Sequence, residues 1–80
     1  MSRRKKRQRE AEVFGATIRR LREEQGWTQE QLAERAEMNG SYLGFIERGD
    51  NIPTLMIIVH LAKALEVEPG VLLRDVMKLL

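Results

Sequence analysis

Apolar residues recur along this chain at helical spacing, and no segment alternates between apolar and polar residues. The first stripe has residues at positions i, i+4, i+7 and i+11, which are Phe14, Ile18, Leu21 and Gln25. The first three are apolar and the last is polar. This spacing places side chains on one face of an α-helix. Gly26 follows as a left-handed helix stop. The pattern predicts a first helix from about Glu10 to Gln25.

Two short helices with a three-residue break come next. Thr28 begins one of them with a capping box, because Gln31 lies three residues later and can bond back to the Thr28 amide. We expect this helix to end near Ala36. Asn39 is a good N-cap for the second helix, which we expect over Gly40–Arg48. Two helices this short around a tight break can cross as a helix-turn-helix.

Two further helices complete the predicted all-α fold. Thr54 caps a fourth helix, for which the spacing predicts a core stripe of Leu55, Ile58, Val59, Ala62 and Leu65. Pro69 suits the first turn of a fifth helix, expected over residues 69–80. We therefore expect a compact five-helix domain over residues 10–80.

Composition narrows the classes of function. The chain has 80 residues, enough for one domain, and no cysteine, which excludes disulfides and thiol catalysis. No apolar run approaches the ~20 residues of a membrane span. His60 is the only histidine, expected at the edge of the core, and the acidic residues show no metal-ligand or paired-carboxylate spacing. We expect no enzyme, metal, cofactor or membrane partner, and a cytoplasmic location.

The charge is distributed unevenly along the chain. Of the 14 basic residues, six lie in the first nine positions: Arg3, Arg4, Lys5, Lys6, Arg7 and Arg9. The rest of the chain, residues 10–80, contains the other eight basic residues and all 12 acidic residues, so this body of the chain has a net charge of −4. A basic arm on an acidic body is typical of a tail that binds a polyanion, although a solvated end that only aids solubility fits equally well. We expect residues 1–9 to form a disordered basic arm.

Four motifs then carry a family resemblance: FGxxIRxLR at 14–22, GWTQExLA at 26–33, SYLxxIERG at 41–49, and PTL with LAKAL at 53–65. Their order and spacing resemble the lambda-repressor-like family (Cro/C1-type, or XRE) over residues 11–73. The resemblance implies a helix-turn-helix at about residues 29–48 that binds double-stranded DNA. Its third helix, residues 40–48, would read base edges in the major groove.

The resemblance also implies roles for individual residues. Gln29, with Thr28 before it, resembles a position that contacts a backbone phosphate. The outward face of the third helix and its flanks would contact DNA through Asn39, Gly40, Ser41, Tyr42, Gly44, Phe45, Arg48 and Asn51. Arg22 and Glu47 match an internal ion pair. The basic arm would wrap the duplex or enter the minor groove through Arg3, Arg4, Lys5, Lys6 and Arg7.

Three departures from the family pattern qualify this reading. Glu37 stands at a turn position where the family usually has glycine, which implies a strained backbone there. Gly40 and Gly44 each lower helix propensity by about 0.8–1 kcal/mol relative to alanine. Few side chains on the third helix can hydrogen-bond to bases, and Phe45 offers only apolar contact with a thymine methyl group. We therefore expect modest direct readout, supplemented by DNA shape and by the arm.

The C-terminal segment is apolar on more than one face. We expect Leu72 and Val76 to pack on the domain. Further apolar residues of the fourth and fifth helices would form a homodimer interface: Met56, Ile57, Val71, Leu73, Met77 and Leu80. A two-fold DNA site also requires two copies of the chain. The alternative is a frayed tail packed locally.

Two functions from different classes remain open. The favoured one is a homodimeric transcriptional regulator of the repressor or controller type. No second, effector-binding domain is recognised in the sequence, so we expect no small-molecule effector. Segments such as Ser41-Tyr42-Leu43-Gly44 and Leu65-Glu66-Val67-Glu68-Pro69 are similar to the controller proteins of restriction–modification systems. The alternative is a protein-interaction module or antitoxin-like partner binder with weak DNA binding.

Overall fold

The structure, a computed structural model, describes residues 2–80, with side chains from Arg9 onward. Five α-helices follow in order: α1 Ser2–Glu24, α2 Gln29–Arg35, α3 Gly40–Arg48, α4 Leu55–Leu65 and α5 Pro69–Met77. No strand occurs in this part of the chain. The prediction of a compact five-helix, all-α fold is confirmed.

Side-chain caps begin α2, α3 and α4 at the predicted residues. The Thr28 hydroxyl accepts a hydrogen bond from the Gln31 amide at 3.1 Å, and the Gln31 side chain accepts one from the Thr28 amide at 2.8 Å. The Asn39 and Thr54 side chains accept hydrogen bonds from backbone N–H groups in the first turns of α3 and α4. Each cap contributes about 1 kcal/mol of stability, so the local sequence sets the start of each helix.

Helix α1 departs from the prediction at its beginning. It starts at Ser2 rather than near Glu10, so the backbone of the basic segment continues α1. The reason is local, because Arg, Lys, Gln and Glu are all good helix formers and no glycine or proline interrupts this segment.

Within residues 2–80, four residues with positive φ end the helices or turn the chain. Gly26 (φ 76°) follows α1 as predicted, and Gly49 (φ 78°) caps α3. Glu37 has φ 58°, as expected for a residue that replaces glycine in the turn between α2 and α3. Glu66, at the C-cap of α4, has the same φ, which was not foreseen.

The core forms where α1 packs against α3 and α5, α2 packs against α3, and α4 packs against α5. Its largest fully buried side chains come from all five helices: Ile18, Leu32, Leu43, Ile46, Leu61 and Leu72. Gly15 brings α1 and α3 together, because a Cβ there would collide with the carbonyl oxygens of Ile46 and Glu47. The position of α3 is therefore fixed by direct backbone contact with α1.

The predicted core stripe of α4 is partly wrong. Leu55 is 74% exposed and Val59 is also exposed, whereas Leu61 is fully buried beside Ala62 and Leu65. The helix is apolar on two faces, and both stripes include Ala62, so spacing alone could not choose between them. Packing against the other helices turns Leu61 inward and leaves Leu55 and Val59 on the surface.

In α5, Leu72 is fully buried and Val76 packs partly against the core, as predicted. Among the described residues, no helix is both long and apolar enough to cross a membrane.

Candidate nucleic-acid interface

The outward face of α3 is open to solvent rather than packed within the chain. Ser41 and Arg48 are exposed, and Phe45 is 43% exposed. Asn39 before the helix and Asn51 after it are also exposed. These five predicted DNA contacts are all accessible, and they extend from the N-cap of α3 to the loop that follows it.

Three other predicted contacts are more covered than the sequence suggested. Gly44 is buried under the Gln29 and Arg48 side chains, and a Cβ there would lie 3.3 Å from Arg48 Nη1. Tyr42 is half-buried and packs against the core. Gly40 is half-buried beside Glu30, whose Cγ would lie 3.5 Å from a Cβ at this position.

A buried polar network fixes α3 to α1 and α2. Arg22 Nε and Nη2 donate to the two Glu47 carboxylate oxygens at 2.6 and 3.0 Å, which forms the ion pair expected from the sequence. Arg22 Nη1 donates to the Trp27 carbonyl oxygen at 2.8 Å. The Glu47 side chain is 2% exposed and that of Arg22 is 11% exposed. Hydrogen bonding to Glu47 raises the pKa of Arg22 above its ordinary value, although burial opposes this shift.

Gln29 joins the same network. Its Nε2 donates to Glu47 Oε1 at 2.9 Å, so the amide is held in position before any ligand arrives. This bond was not foreseen from the sequence, which assigned Gln29 only to a phosphate contact. The amide orientation that the bond selects leaves one Nε2 proton for an external acceptor.

An open groove of about 720 Å³ lies between the N-termini of α2 and α3. Its lining combines residues predicted to contact DNA with members of the buried network: Arg22, Thr28, Gln29, Glu30, Asn39, Gly40 and Ser41. The groove therefore places Thr28 and Gln29 next to the start of α3, the arrangement a helix-turn-helix needs to contact backbone and bases together.

Asp50 is a member of this surface that the sequence did not reveal. Its Oδ2 accepts a hydrogen bond from Arg48 Nε at 2.9 Å, and the Arg48 guanidinium carbon lies 5.1 Å from the centre of the Phe45 ring. The signal was present in the order Arg48-Gly49-Asp50, because a left-handed glycine at a helix end folds the next residue back over the last turn.

The predicted arm contacts Arg3, Arg4, Lys5, Lys6 and Arg7 have side chains outside the described residues. Farther along α1, Glu12 lies against Gly49, the C-cap of α3. The basic segment of α1 therefore continues from a point beside the C-terminal end of α3.

The predicted dimer residues lie on α4 and in the C-terminal region, with different degrees of exposure. Met56, Met77 and Leu80 are exposed. Ile57 and Leu73 are half-buried and pack partly against the core, and Val71 is half-buried. The exposed Leu55 and Val59 lie on the same helix as Met56. We call the five exposed residues the apolar patch: Leu55, Met56, Val59, Met77 and Leu80.

A capped helix pair with an accessible second helix, held by a buried ion pair, defines a DNA-binding protein of the helix-turn-helix class. The chain belongs to the helix-turn-helix family HTH_3, the Cro/C1-type or XRE group, whose pattern matches residues 18–72.

Individual relatives agree with this assignment. The chain is 41% identical over 58 residues to the HTH-type transcriptional regulator YazB of Bacillus subtilis (strain 168), over 72% of this chain and 84% of YazB. It is 35% identical over 68 residues to the control protein C.SmaI of Serratia marcescens, over 84% of this chain and 81% of C.SmaI. The crystal structure of the restriction-modification controller protein C.AhdI from Aeromonas hydrophila is similar, with a TM-score of 0.76 and 40% identity, covering 78% of this chain and 94% of C.AhdI.

The family consists of transcriptional regulators that bind double-stranded DNA and are not enzymes. The predictions of a DNA-binding regulator and of a non-enzymatic protein are therefore confirmed at this level.

Proposed function

We propose that this protein is a homodimeric, sequence-specific transcriptional regulator of the repressor or controller type. In this proposal α3 enters the major groove, and the groove at the N-termini of α2 and α3 receives a backbone phosphate. The observation that carries the proposal is the accessible face of α3, held rigid by the Arg22–Glu47–Gln29 network. A reading helix must keep its orientation while it contacts base edges, and the network supplies that rigidity.

The assignment of contacts follows from exposure and position. Ser41, Phe45 and Arg48 would contact bases, and Asn39 and Asn51 would contact DNA at either end of α3. Gly40 and Gly44 would allow close approach of the backbone, while Tyr42 would contribute from its half-buried position. Thr28 and Gln29 would contact phosphate. The basic residues Arg3, Arg4, Lys5, Lys6 and Arg7 would add non-specific affinity, since the rest of the chain is net acidic.

Dimerisation through α4 and α5 is supported by the apolar patch. A group of exposed apolar side chains on a small chain often marks an interface. The half-buried Ile57, Val71 and Leu73 lie on the same two helices and would extend it. Two copies related by a two-fold axis would place two α3 helices on successive major grooves of a palindromic site.

The similarity to C.SmaI and C.AhdI supports a controller role among the regulatory roles. We infer that activity depends on the concentration of the chain itself through dimerisation, with no small-molecule effector. The alternative, an antitoxin-like protein-interaction module, is favoured by the glycine-rich α3 and by the net acidic body of the chain.

The decisive experiment is selection of bound duplexes from a random-sequence DNA pool by the full chain. We expect a palindromic motif with two half-sites about one helical turn apart. Arg48→Ala should weaken binding to the selected duplex at least tenfold, and Ser41→Ala only a few-fold, because direct readout is modest. Arg20→Ala, which removes one exposed positive charge on α1, outside the residues assigned to DNA or to the dimer, is the matched control and should bind normally. Recovery of no enriched motif would refute sequence-specific binding and favour the interaction module.

A further inference from the structure

Phe45, Arg48 and Asp50 form a single unit at the C-terminal end of α3. Arg48 Nε donates to Asp50 Oδ2 at 2.9 Å, and its guanidinium lies over the Phe45 ring at 5.1 Å from the centroid. All three side chains are accessible. Two separate interactions therefore favour this orientation of the arginine before DNA binds: an exposed ion pair on one side and a cation–π contact on the other.

The backbone at the end of α3 produces this arrangement. Gly49 has φ 78°, and the Asp50 amide donates to the Phe45 carbonyl oxygen at 2.9 Å, so the chain folds back over the last helical turn. This return brings the Asp50 carboxylate to Arg48. Gly44 contributes space, because a Cβ there would lie only 3.3 Å from Arg48 Nη1.

The ion pair limits which group Arg48 can bind. A carboxylate at 2.9 Å cancels most of the positive charge seen by a distant phosphate. Nε is occupied by Asp50, and among the described residues Nη1 and Nη2 donate to no side chain. Two parallel terminal N–H donors match the O6 and N7 acceptors of guanine in the major groove.

Phe45 offers the complementary apolar surface. An exposed aromatic ring on a reading helix suits the C5-methyl group of a pyrimidine, the only apolar feature of the major-groove edges. The ring and the guanidinium are 5.1 Å apart, while consecutive base pairs are spaced ~3.4 Å apart along the duplex. Two groups at this separation fit neighbouring base pairs better than one base pair.

We propose that Phe45, Arg48 and Asp50 together read a two-base step in which a C5-methylated pyrimidine adjoins a guanine. Phe45 contacts the methyl group, Arg48 donates to the guanine, and Asp50 positions Arg48. The pyrimidine is either thymine or 5-methylcytosine, which share this chemistry. The inference rests on the proposed binding of α3 in the major groove.

The test uses modified bases in the duplex selected by the full wild-type chain. Replacing the thymine beside each guanine of the half-site with deoxyuridine, one position at a time, removes only the methyl group. We expect one such position to weaken binding about fourfold, as for one buried methyl group. Replacing the adjoining guanine with 7-deazaguanine removes only N7 and should weaken binding about tenfold. Because only the DNA changes, protein folding cannot account for either result.

Protein variants assign each effect to its side chain. Phe45→Ala should abolish the difference between thymine and deoxyuridine, and Arg48→Ala, which removes the donors to N7, should abolish the difference between guanine and 7-deazaguanine. Asp50→Asn should weaken binding to the selected duplex while it strengthens binding to random duplexes, because it removes a negative charge near the DNA. A uniform effect on both duplexes would overturn the positioning role of Asp50.

A further arm distinguishes the two pyrimidines. Duplexes with cytosine or 5-methylcytosine in place of the thymine should bind with the same fourfold difference if the methyl group alone is read. If thymine binds more tightly than deoxyuridine but 5-methylcytosine binds no more tightly than cytosine, the unit reads thymine alone. That result would overturn the wider class of C5-methylated pyrimidines. Equal wild-type affinity for thymine and deoxyuridine at every position of a well-defined motif would overturn this inference and leave the proposed function intact. Failure to select any motif would refute both.

Discussion

Glu47 is the residue on which the orientation of α3 depends most. It accepts hydrogen bonds from Arg22 and Gln29, and its side chain is 2% exposed. Removal of one member of a buried ion pair leaves the other member charged and poorly solvated. The role of Glu47 is therefore larger than that of an ion pair on the surface.

We predict that Arg22→Ala lowers the free energy of unfolding by about 3–5 kcal/mol, because the Glu47 carboxylate is then buried without its partner. Chemical denaturation followed by Trp27 fluorescence measures this change. Arg19→Ala is the matched control, since Arg19 pairs with Glu23 on the surface and should contribute no more than about 1 kcal/mol. Comparable losses in the two variants would contradict the structural role of the buried pair.

The pH dependence of the contribution that Arg22 makes to stability follows from the direction of its pKa shift. The pKa of Arg22 is raised in the folded state by the hydrogen bonds to Glu47. A cationic group with a raised pKa stabilises the folded state at all pH values below its ordinary pKa, and the contribution is lost only as the pH rises through the folded value. The guanidinium itself therefore adds no pH dependence to stability near neutrality.

The turn between α2 and α3 shows how an element can retain strain. Glu37 has φ 58°, a conformation that costs a non-glycine residue about 1 kcal/mol. The surrounding helices impose this conformation, because α2 and α3 are each fixed independently by caps and by core residues such as Leu32 and Leu43.

We predict that Glu37→Gly stabilises the protein by about 1 kcal/mol, because glycine adopts positive φ without a steric cost. Thermal unfolding measured by circular dichroism tests this. Glu34→Gly is the control, since the same substitution within helix α2 should destabilise the protein by up to about 1 kcal/mol. Loss of stability in both variants would show that Glu37 makes a contribution beyond backbone conformation.

At the scale of the whole molecule, the surfaces proposed for DNA and for a second copy are separate. Phe45 lies on α3, while the apolar patch lies on α4 and in the C-terminal region. Two matched substitutions can therefore separate the two interactions, since each replaces an exposed apolar residue with a charged one.

We predict that the wild-type chain is a dimer at tens of micromolar and that Met56→Glu is a folded monomer. Burial of a charge at an interface is costly, whereas the free monomer leaves the introduced carboxylate in water. Sedimentation velocity measures the assembly state. Phe45→Glu should remain dimeric and lose DNA binding. A wild-type monomer, or a dimeric Met56→Glu variant, would exclude the proposed interface.

We also predict that the basic segment of α1 determines the salt dependence of DNA binding. Replacing Arg3, Arg4, Lys5, Lys6 and Arg7 with glutamine retains helix propensity and removes five positive charges. The slope of log affinity against log salt should become shallower by about 0.9 for each phosphate that the variant no longer neutralises. Arg20→Gln on α1, outside both proposed surfaces, should leave the slope unchanged. An unaltered slope in the five-residue variant would rule out the segment as a DNA-binding element.

Much of this protein was determined by the sequence alone, where the physical signal is local. Three local signals specify the helices, because each depends on neighbours within one or two turns. They are the caps at Thr28, Asn39 and Thr54, the glycines that end helices at Gly26 and Gly49, and the helical spacing of core residues such as Ile18 in α1 and Leu43 in α3. The order of the motifs identified the family for the same reason. Each motif contains residues that this arrangement of helices requires close together in the sequence.

Only the tertiary structure decided which face of each element is used. It turned Leu61 inward and exposed Leu55, because α4 carries two apolar stripes and only packing with the other helices selects one. It likewise joined Gln29 to Glu47 and Asp50 to Arg48, and it buried Gly44. These contacts depend on how separate elements meet in space, and no spacing along a single helix encodes that.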